Sequence, residues 1–346
     1  MKKYDYSFLK TSIPGNIFGL SNILTDLKAK EGFRKIQSEK AFEALRKKAI
    51  VESVKGSNAI EGIVTTDSRL NEIVAGSKAI SHSEKEISGY RDALNYIHSN
   101  YGECDLSEEF IKALHRFITA ENAPDEAGHY KNRDNLIMEY NADGTRRIRF
   151  KPVSFKETEN AMEQLILAYI DARQDPDIPD LLLIPCVILD FLCIHPFNDG
   201  NGRVSRLLSV FLLYNHGYDI GRYISVESKI NEYKEAYYNA LESSSENWHA
   251  NKNDYIPFIT YFLQILYKCY KELDDSFMDI ALKKAKKSER IKAVVMNAVV
   301  PVSKAEIASK LPDIAVTSVE KTLSDLTKAG KIKKIGTYKN ARYFKA

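Results

Sequence analysis

The sequence predicts a mainly α-helical fold that contains one small β-hairpin. In most of the chain apolar residues recur three and four positions apart between charged ones, as in "FRKIQSEKAFEALRKKAIVESV" and "KETENAMEQLILAYIDARQ", which is the spacing of amphipathic helices. The stretch "LIMEYNADGTRRIRF" breaks this pattern, because two short β-prone runs flank Asp143 and Gly144. An Asp-Gly pair between two such runs predicts a hairpin over residues 136–150.

Length and composition restrict the class of protein. A chain of 346 residues with 44% hydrophobic and 28% charged residues is long enough for roughly two domains of ordinary composition. The N-terminal stretch "MKKYDYSFLKTSIPG" lacks the apolar core of a secretory signal, so we expect a cytoplasmic protein. The longest apolar run, residues 181–194, contains Pro185 and Asp190 and is shorter than the ~20 residues that cross a membrane. We therefore expect a buried helix there and no membrane contact.

The four cysteines are interpreted as reduced thiols of the core. None of them forms a CxxC pair, and two of them lie seven residues apart in the apolar run; the four are Cys104, Cys186, Cys193 and Cys269. This pattern favours buried thiols over a disulfide or a metal site.

The C-terminal segment differs from the rest of the chain in charge. Residues 288–346 contain 12 Lys and Arg against 5 Asp and Glu, whereas the residues before them contain 38 against 42. Two capping boxes, Ser303 with Glu306 and Thr317 with Glu320, predict the starts of two helices, and Gly330 predicts the end of the second. The basic stretch that follows alternates as a hairpin does. This order of elements resembles a winged helix-turn-helix domain.

The stretch "HPFNDGNGRVSRLL", residues 195–208, brings several chemical groups together. We expect the apolar helix to end at His195 and a second helix to begin at Arg203 after a glycine-rich turn. Free N–H groups at a helix start bind phosphate, and Arg203 and Arg206 share one face of that helix. Asp199 suits Mg²⁺, and His195 can accept a proton at neutral pH. A triphosphate is the ligand that this pattern predicts.

These residues fill every fixed position of the pattern His-x-Phe-x-Asp/Glu-Gly-Asn-Gly-Arg-x-x-Arg, and the sequence therefore resembles the Fic (filamentation induced by cAMP) family. The resemblance implies an enzyme that transfers AMP from ATP to a hydroxyl side chain of a protein. It also implies three parts: an N-terminal helical segment over residues 1–65, a helical catalytic core over 66–273, and a linker helix with the winged helix over 274–346.

By the same resemblance each residue of the motif receives a role. His195 would deprotonate the target hydroxyl, and Asp199 would hold Mg²⁺. Arg203 would contact the β-phosphate of ATP, and Arg206 the γ-phosphate. The residues that would line the site of the α- and β-phosphates are Gly200, Asn201 and Gly202.

The stretch "SNAIEG", residues 57–62, is similar to the inhibitory motif of one class of Fic proteins. The resemblance implies that Glu61, with Ser57 and Gly62 in the same motif, pairs with Arg206 and blocks the γ-phosphate. We therefore expect an enzyme that is largely inactive at rest.

Two other segments are interpreted through the resemblance. The hairpin over residues 136–150 falls where the family has a flap that aligns the target segment as an added strand. Tyr233 and Tyr237, four residues apart, are candidates for contact with adenine or ribose, or for the core. The stretch "GHYKNRDN" departs from the family's Gly-x-Tyr-Arg, because Lys131 and Asn132 precede Arg133.

Several alternatives stay open at this stage. The same site is compatible with removal of AMP from modified proteins, and the chain is also compatible with a DNA-binding regulator that has a Fic sensor core. Residues 288–346 would contact DNA or protein, with the lysines and arginine of the predicted wing available to phosphates; these are Lys331, Lys333, Lys334, Lys339 and Arg342. The target protein is unknown, and self-modification and a homodimer are further expectations.

Overall fold

The computed structural model describes residues 2–11, 13–37, 39–140, 145–284, 286–296, 298, 300–337 and 341–346. The chain divides into two compact units, Met1–Glu272 and Leu273–Ala346. The described residues are mostly helical, with five short strands, so the prediction of a mainly α fold is confirmed. Residues 1–65 lie in the same unit as residues 66–272.

The described residues of the first unit form eleven α-helices and one hairpin. The helices are α1 (Gly15–Gln37), α2 (Glu39–Ile60), α3 (Asp67–Val74), α4 (His82–Asn100), α5 (Glu108–Thr119), α6 (Thr158–Gln174), α7 (Asp180–Ile194), α8 (Asn201–Asn215), α9 (Val226–Glu232), α10 (Lys234–Ser245) and α11 (Ile256–Lys284), within which the division falls. The hairpin strands are β1 (Ile137–Tyr140) and β2 (Arg146–Phe150).

The apolar helix α7 lies at the centre of the first unit. It packs against α6, α8 and α10, and nearly all of its residues are buried. A helix that is apolar on every side requires such surroundings. Cys186 and Cys193 are buried in it as free thiols, as predicted, while Cys104 is half-buried. Among the described residues, no helix is long and apolar enough to cross a membrane.

Helix α2 packs along α9 at very short range. A Cβ added to Gly56 of α2 would lie 2.7 Å from the Cα of Ser228, so only glycine allows this approach. Behind the contact the buried carboxylate of Glu227 accepts hydrogen bonds from Ser53 Oγ at 2.8 Å and from Tyr90 Oη at 3.0 Å. These contacts fix the position of α2 against α4 and α9 within the first unit.

Strands β1 and β2 pair antiparallel, with Glu139 opposite Arg147. The predicted hairpin is therefore confirmed. Its predicted turn pair, Asp143 and Gly144, lies outside the described residues.

The second unit contains three helices and a three-stranded antiparallel sheet. Its elements are α12 (Lys287–Met296), β3 (Val302–Ser303), α13 (Lys304–Lys310), α14 (Val316–Lys328), β4 (Ile332–Ile335) and β5 (Arg342–Lys345), and the strand order is β3-β5-β4. A small apolar core formed by residues of all three helices and of the sheet, among them Ile291, Ile307 and Leu323, holds these elements together.

Of the two predicted capping boxes, one is confirmed and one is wrong. Ser303 and Glu306 bond each other's backbone N–H groups at the start of α13. Helix α14 instead begins at Val316 after the extended residue Ala315, so Thr317 lies inside its first turn. Glu320 is engaged elsewhere, because its carboxylate accepts from Lys304 Nζ at 2.8 Å.

Candidate active site

His195 lies at the junction between α7 and the loop that leads to α8. Its backbone has the left-handed conformation, with φ 52° and ψ 62°, which is uncommon for a residue with a side chain. This residue ends α7 and turns the chain, so that the imidazole lines a cleft of about 860 Å³. The predicted end of the apolar helix is confirmed.

The imidazole of His195 is set up as a proton acceptor. Its Nδ1 lies 3.3 Å from the carbonyl oxygen of Leu192. Since a carbonyl can only accept, we assign the proton to Nδ1, which leaves the lone pair on Nε2. Burial lowers the pKa of His195 to about 4, so the ring is neutral at pH 7.

The loop after His195 is held in shape by Asn201 and His115. The Asn201 amide accepts from Phe197 N at 2.9 Å and donates to Phe197 O at 2.8 Å. The His115 ring stacks on Phe197 with centroids 3.8 Å apart, and its Nε2 is 3.1 Å from the carbonyl of Asp199. The side chain of Asn201 is therefore used within the loop, and only its backbone faces the predicted phosphate site.

Helix α8 begins at Asn201, two residues before the predicted start at Arg203. The preceding Gly200 has φ 80° and no side chain to cap the helix. The first N–H groups of α8 therefore have no partner within the helix and carry the positive end of its dipole. Gly200, Asn201 and Gly202 all line the cleft, which gives the cleft an anion-binding floor.

Arg203 is buried and faces two carboxylates. Its Nη1 donates to Glu86 Oε1 at 2.9 Å, and its Nη2 donates to Asp199 Oδ2 at 3.0 Å. Its Nε is buried without a hydrogen-bond partner. Glu86, from α4, lines the same cleft and was not predicted from the sequence, because nothing near residue 86 resembles a ligand-binding motif.

Arg206 is fully engaged by the segment that ends α2. Its Nε donates to Ser57 Oγ at 2.8 Å, and its Nη2 donates to the Ser57 carbonyl at 3.1 Å and to Glu61 Oε1 at 2.8 Å. The predicted ion pair between Glu61 and Arg206 is present. Arg206 is only 2% exposed and Glu61 34% exposed, so the pair forms at the inner wall of the cleft.

The Glu61 carboxylate also lies over the start of α8. A Cβ added to Gly202 would be 2.4 Å from Glu61 Oε1. Glu61 is held there by the end of α2, where Gly62 takes φ 78° and Lys234 Nζ donates to the carbonyl of Ile60 at 2.5 Å. An anion thus already occupies the approach to the N–H groups of α8.

The two predicted tyrosines differ in position. Tyr237 and its neighbour Tyr238 line the cleft, and Tyr238 stacks under Arg149 at 5.3 Å. The prediction that Tyr233 shares this face is wrong, because α9 ends at Glu232 and Tyr233 lies in the break before α10. Its ring instead faces Lys268 Nζ at 4.1 Å.

The hairpin forms another wall of the cleft. Ile137 and Met138 of β1 and Arg149 and Phe150 of β2 line it. Arg147 points elsewhere, to Glu242 at 2.7 Å. The free sides of this two-stranded sheet offer edges to which an extended segment could add.

The residues around Asp199 suit a metal ion only together with a bound phosphate-containing molecule. The Asp199 side chain is 77% exposed beside the start of α8. Among the described residues no three His, Cys, Asp or Glu side chains lie close enough together to hold a metal ion. Mg²⁺ in proteins is bound by one or two carboxylates together with substrate phosphates and water, so a single exposed carboxylate at an anion site fits that ion.

The departure from Gly-x-Tyr-Arg also has a structural outcome. Lys131 directly follows Tyr130 and is buried, whereas Arg133 is exposed. Lys131 Nζ donates to the carbonyl of Ile194 at 3.1 Å, next to His195. The residue that directly follows the tyrosine is thus a buried lysine here, where the family pattern has arginine.

Comparisons with known proteins agree with this site. The model of the Fic/DOC family matches residues 105–213. Similar curated proteins are a protein adenylyltransferase Fic of Nematostella vectensis, 28% identical over 182 residues, or 50% of this chain and 39% of the relative, and the adenylyltransferase fic-1 of Caenorhabditis elegans, 24% identical over 241 residues, or 67% and 42%. The chain thus spans about two fifths of the length of these relatives.

Solved structures show the same fold. A Fic family protein from Desulfovibrio desulfuricans G20 has a TM-score of 0.63 at 18% identity, with 97% of each chain covered. Fic-1 from C. elegans has a TM-score of 0.60 at 17% identity, with 78% of this chain and 74% of that chain covered. The matched family region contains His195, the loop and α8 as far as Leu213, and on this evidence residues 105–213 form a domain of the Fic/DOC family.

Proposed function

We propose that the protein is a self-inhibited adenylyltransferase, which transfers AMP from ATP to a hydroxyl side chain of a target protein. The observation that carries this proposal is the neutral imidazole of His195 beside the unpaired N–H groups of α8 in one cleft. The two curated relatives are themselves named adenylyltransferases.

In the proposed reaction His195 Nε2 accepts the proton of the target hydroxyl. The hydroxyl oxygen forms a bond to the α-phosphorus of ATP, the bond from that phosphorus to the bridging oxygen breaks, and pyrophosphate leaves. The N–H groups of Gly200, Asn201 and Gly202 stabilise the charge that develops on the phosphate oxygens. Arg203 would bind the β-phosphate, and Tyr237 and Tyr238 would contact the nucleoside.

Asp199 would hold Mg²⁺, which supplies positive charge to the phosphates when it is bound. The Asp199 carboxylate accepts a hydrogen bond from Arg203. Both side chains would therefore exchange partners when a nucleotide binds.

The inhibited state is proposed from the contacts of Glu61. Its carboxylate neutralises Arg206 and lies over Gly202, where the terminal phosphate of ATP would lie. Ser57 and Gly62 belong to the same inhibitory segment. Ser57 accepts a hydrogen bond from Arg206, and Gly62 allows the turn after α2.

The test is transfer of label from ATP labelled on the α-phosphate, with Mg²⁺ and a cell extract as target. We expect little labelled protein with the wild type, strong labelling with Glu61→Gly, and none with Glu61→Gly combined with His195→Ala. Label on the enzyme itself would report self-modification. If Glu61→Gly binds ATP and labels no protein, the transferase assignment fails, and release of AMP from modified proteins becomes the reaction to assay.

A second candidate function, binding of duplex DNA, concerns the second unit, which we propose to be a winged helix-turn-helix domain. Three of its acidic residues are paired internally: Asp313 with Arg290, Glu306 with Arg342 and Glu320 with Lys304. The exposed crest of α14, opposite its buried Val319 and Leu323, carries Thr317, Lys321, Ser324 and Lys328. Glu320 and Asp325 are exposed on the same helix and do not favour a polyanion. Lysines and hydroxyls on such a crest suit a polyanion.

Titration of the full chain with a labelled duplex tests this candidate. We expect affinity to fall steeply between about 50 mM and 200 mM salt, and Lys321→Glu with Lys328→Glu to weaken it further. Lys30→Glu, at an exposed position of α1, is the control, and we expect it to leave the affinity for the duplex unchanged. Absence of binding would favour protein docking. Lys339 of the predicted wing lies outside the described residues, and a cytoplasmic location and a homodimer stay predictions.

A further inference from the structure

The backbone on both sides of His195 is held by one short segment, residues 131–135. The N–H of Lys131 donates to the carbonyl of Pro196 at 2.8 Å, and its Nζ donates to the carbonyl of Ile194 at 3.1 Å. One residue thus bonds the carbonyls immediately before and after His195.

Asn135 completes this clamp. Its Oδ1 accepts from Lys131 Nζ at 3.0 Å, and its Nδ2 donates to the carbonyl of Phe197 at 3.1 Å. Three carbonyls around His195 are therefore satisfied from the same segment. Because the left-handed conformation of His195 is intrinsically unfavourable for a residue with a Cβ, such support is what keeps it populated.

Lys131 is a buried cation whose bonded partners here are uncharged. It is 3% exposed, and its Nζ bonds an amide and a carbonyl. Burial lowers the pKa of Lys131 to about 8. The ammonium therefore remains mostly protonated at pH 7 and places a positive charge beside the imidazole.

The charged groups that act on His195 come from three segments. Lys131 disfavours the protonated imidazole, whereas Asp199 and Glu61 favour it. Burial is the main cause of the lowered pKa of His195, and the cation of Lys131 acts in the same direction, against the two carboxylates.

We propose that Lys131 is a positioning residue for the transfer reaction: it fixes the left-handed turn at His195 and so holds the imidazole where it can accept the proton of the target hydroxyl. This inference rests on the proposed function. It adds a group outside the His195–Arg206 motif, and one that does not line the cleft.

The first test is independent of activity. His195 is titrated by NMR in protein labelled at histidine, with His195→Ala to assign its signal, for the wild type, Lys131→Arg and Lys131→Met. We expect the midpoint of His195 to move upward by about one pH unit in Lys131→Met and to stay in place in Lys131→Arg. His98, half-buried on α4, is the internal reference.

The second test measures AMP transfer in the Glu61→Gly background. We expect Lys131→Met to lower kcat by about tenfold or more, with KM for ATP nearly unchanged, and Lys131→Arg to restore most of the rate. If Lys131→Met does not fold, Asn135→Leu replaces it, with a smaller loss of kcat in the same direction.

The two tests separate the possible failures. An unchanged His195 titration in Lys131→Met, or an equal loss of kcat in Lys131→Arg, overturns the role of Lys131. Absence of transfer in Glu61→Gly itself overturns the proposed function, and the NMR result then still decides whether Lys131 controls the protonation of His195.

Discussion

The carboxylate of Glu61 lies directly over Gly202, so that a Cβ on that glycine would be 2.4 Å from Glu61 Oε1. The proposed block would therefore act in two ways, by charge on Arg206 and by volume at the start of α8. These two effects can be separated by substitution.

Removal of Glu61 should affect nucleotides according to their number of phosphates. We expect Glu61→Gly to raise the affinity for ATP by about tenfold or more and to leave the affinity for AMP unchanged. Glu61→Gln keeps the volume and loses the charge, so its gain should be smaller. Calorimetry with ATP and AMP measures the difference, and an equal gain for both nucleotides would contradict a block at the terminal phosphate.

The rate of transfer should be insensitive to pH around neutrality. Because burial holds the pKa of His195 at about 4, the base stays unprotonated from about pH 8 down to about pH 6 and is lost below about pH 5. The profile is measured with Glu61→Gly, and loss of that carboxylate can only lower the pKa of His195 further. A midpoint near pH 6.5 would show that the imidazole is not buried in the working enzyme.

The close contact of α2 with α9 predicts a glycine substitution that both destabilises and activates. Gly56→Ala would force its Cβ against Ser228, lower the stability by roughly 1–3 kcal/mol, and move Ser57 and Glu61 away from Arg206. We expect a lower Tm and more AMP transfer than in the wild type. The control is Gly32→Ala on α1, where a Cβ meets no atom within 4 Å; it should raise stability by roughly 0.5–1 kcal/mol. If Gly56→Ala shows no more AMP transfer than the wild type, the packing of α2 against α9 does not control inhibition.

Glu31 predicts a stability that depends on pH. Its carboxylate is 3% exposed, and the neighbouring Lys35 Nζ is 3.7 Å from it but 2.6 Å from Asp219. Burial raises the pKa of Glu31 to about 7. As the pH rises from the unfolded value through 7, the unfolded chain releases the proton first, so this group lowers stability progressively.

The substitution Glu31→Gln removes this effect. Compared with the wild type, its Tm should be higher by about 4 °C at pH 8, and the difference should disappear below about pH 5. Scanning calorimetry at both values measures it. A difference that is the same at both pH values would mean that the carboxylate does not titrate in the folded protein.

The sequence was sufficient for the parts of the site that are local. His195 to Arg206 form one helix end, one loop and one helix start, so their mutual positions follow from spacing alone. The error in the start of α8 arose because Asn201, read as a turn former, instead bonds Phe197 with its side chain and enters the helix.

The residues that sequence reasoning missed come from other elements. Glu86, His115 and Lys131 reach the loop from α4, from α5 and from the segment before β1, and only the packing of these elements brings them together. For Lys131 a signal existed, since it follows Gly-x-Tyr where the family pattern has arginine. Tyr233 was misplaced because a break between two short helices cannot be recognised from a four-residue spacing.

The bond from Lys234 to the carbonyl of Ile60 joins the proposed inhibitory segment, residues 57–62, to α10, which carries Tyr237 and Tyr238 of the cleft. Any molecule that draws Glu61 away from Arg206 must therefore bind more tightly to the ATP-loaded protein, by the same factor by which it improves ATP binding. Because of this reciprocity the protein would respond most strongly when ATP and the partner molecule are both present. A partner would bind more tightly while ATP is present.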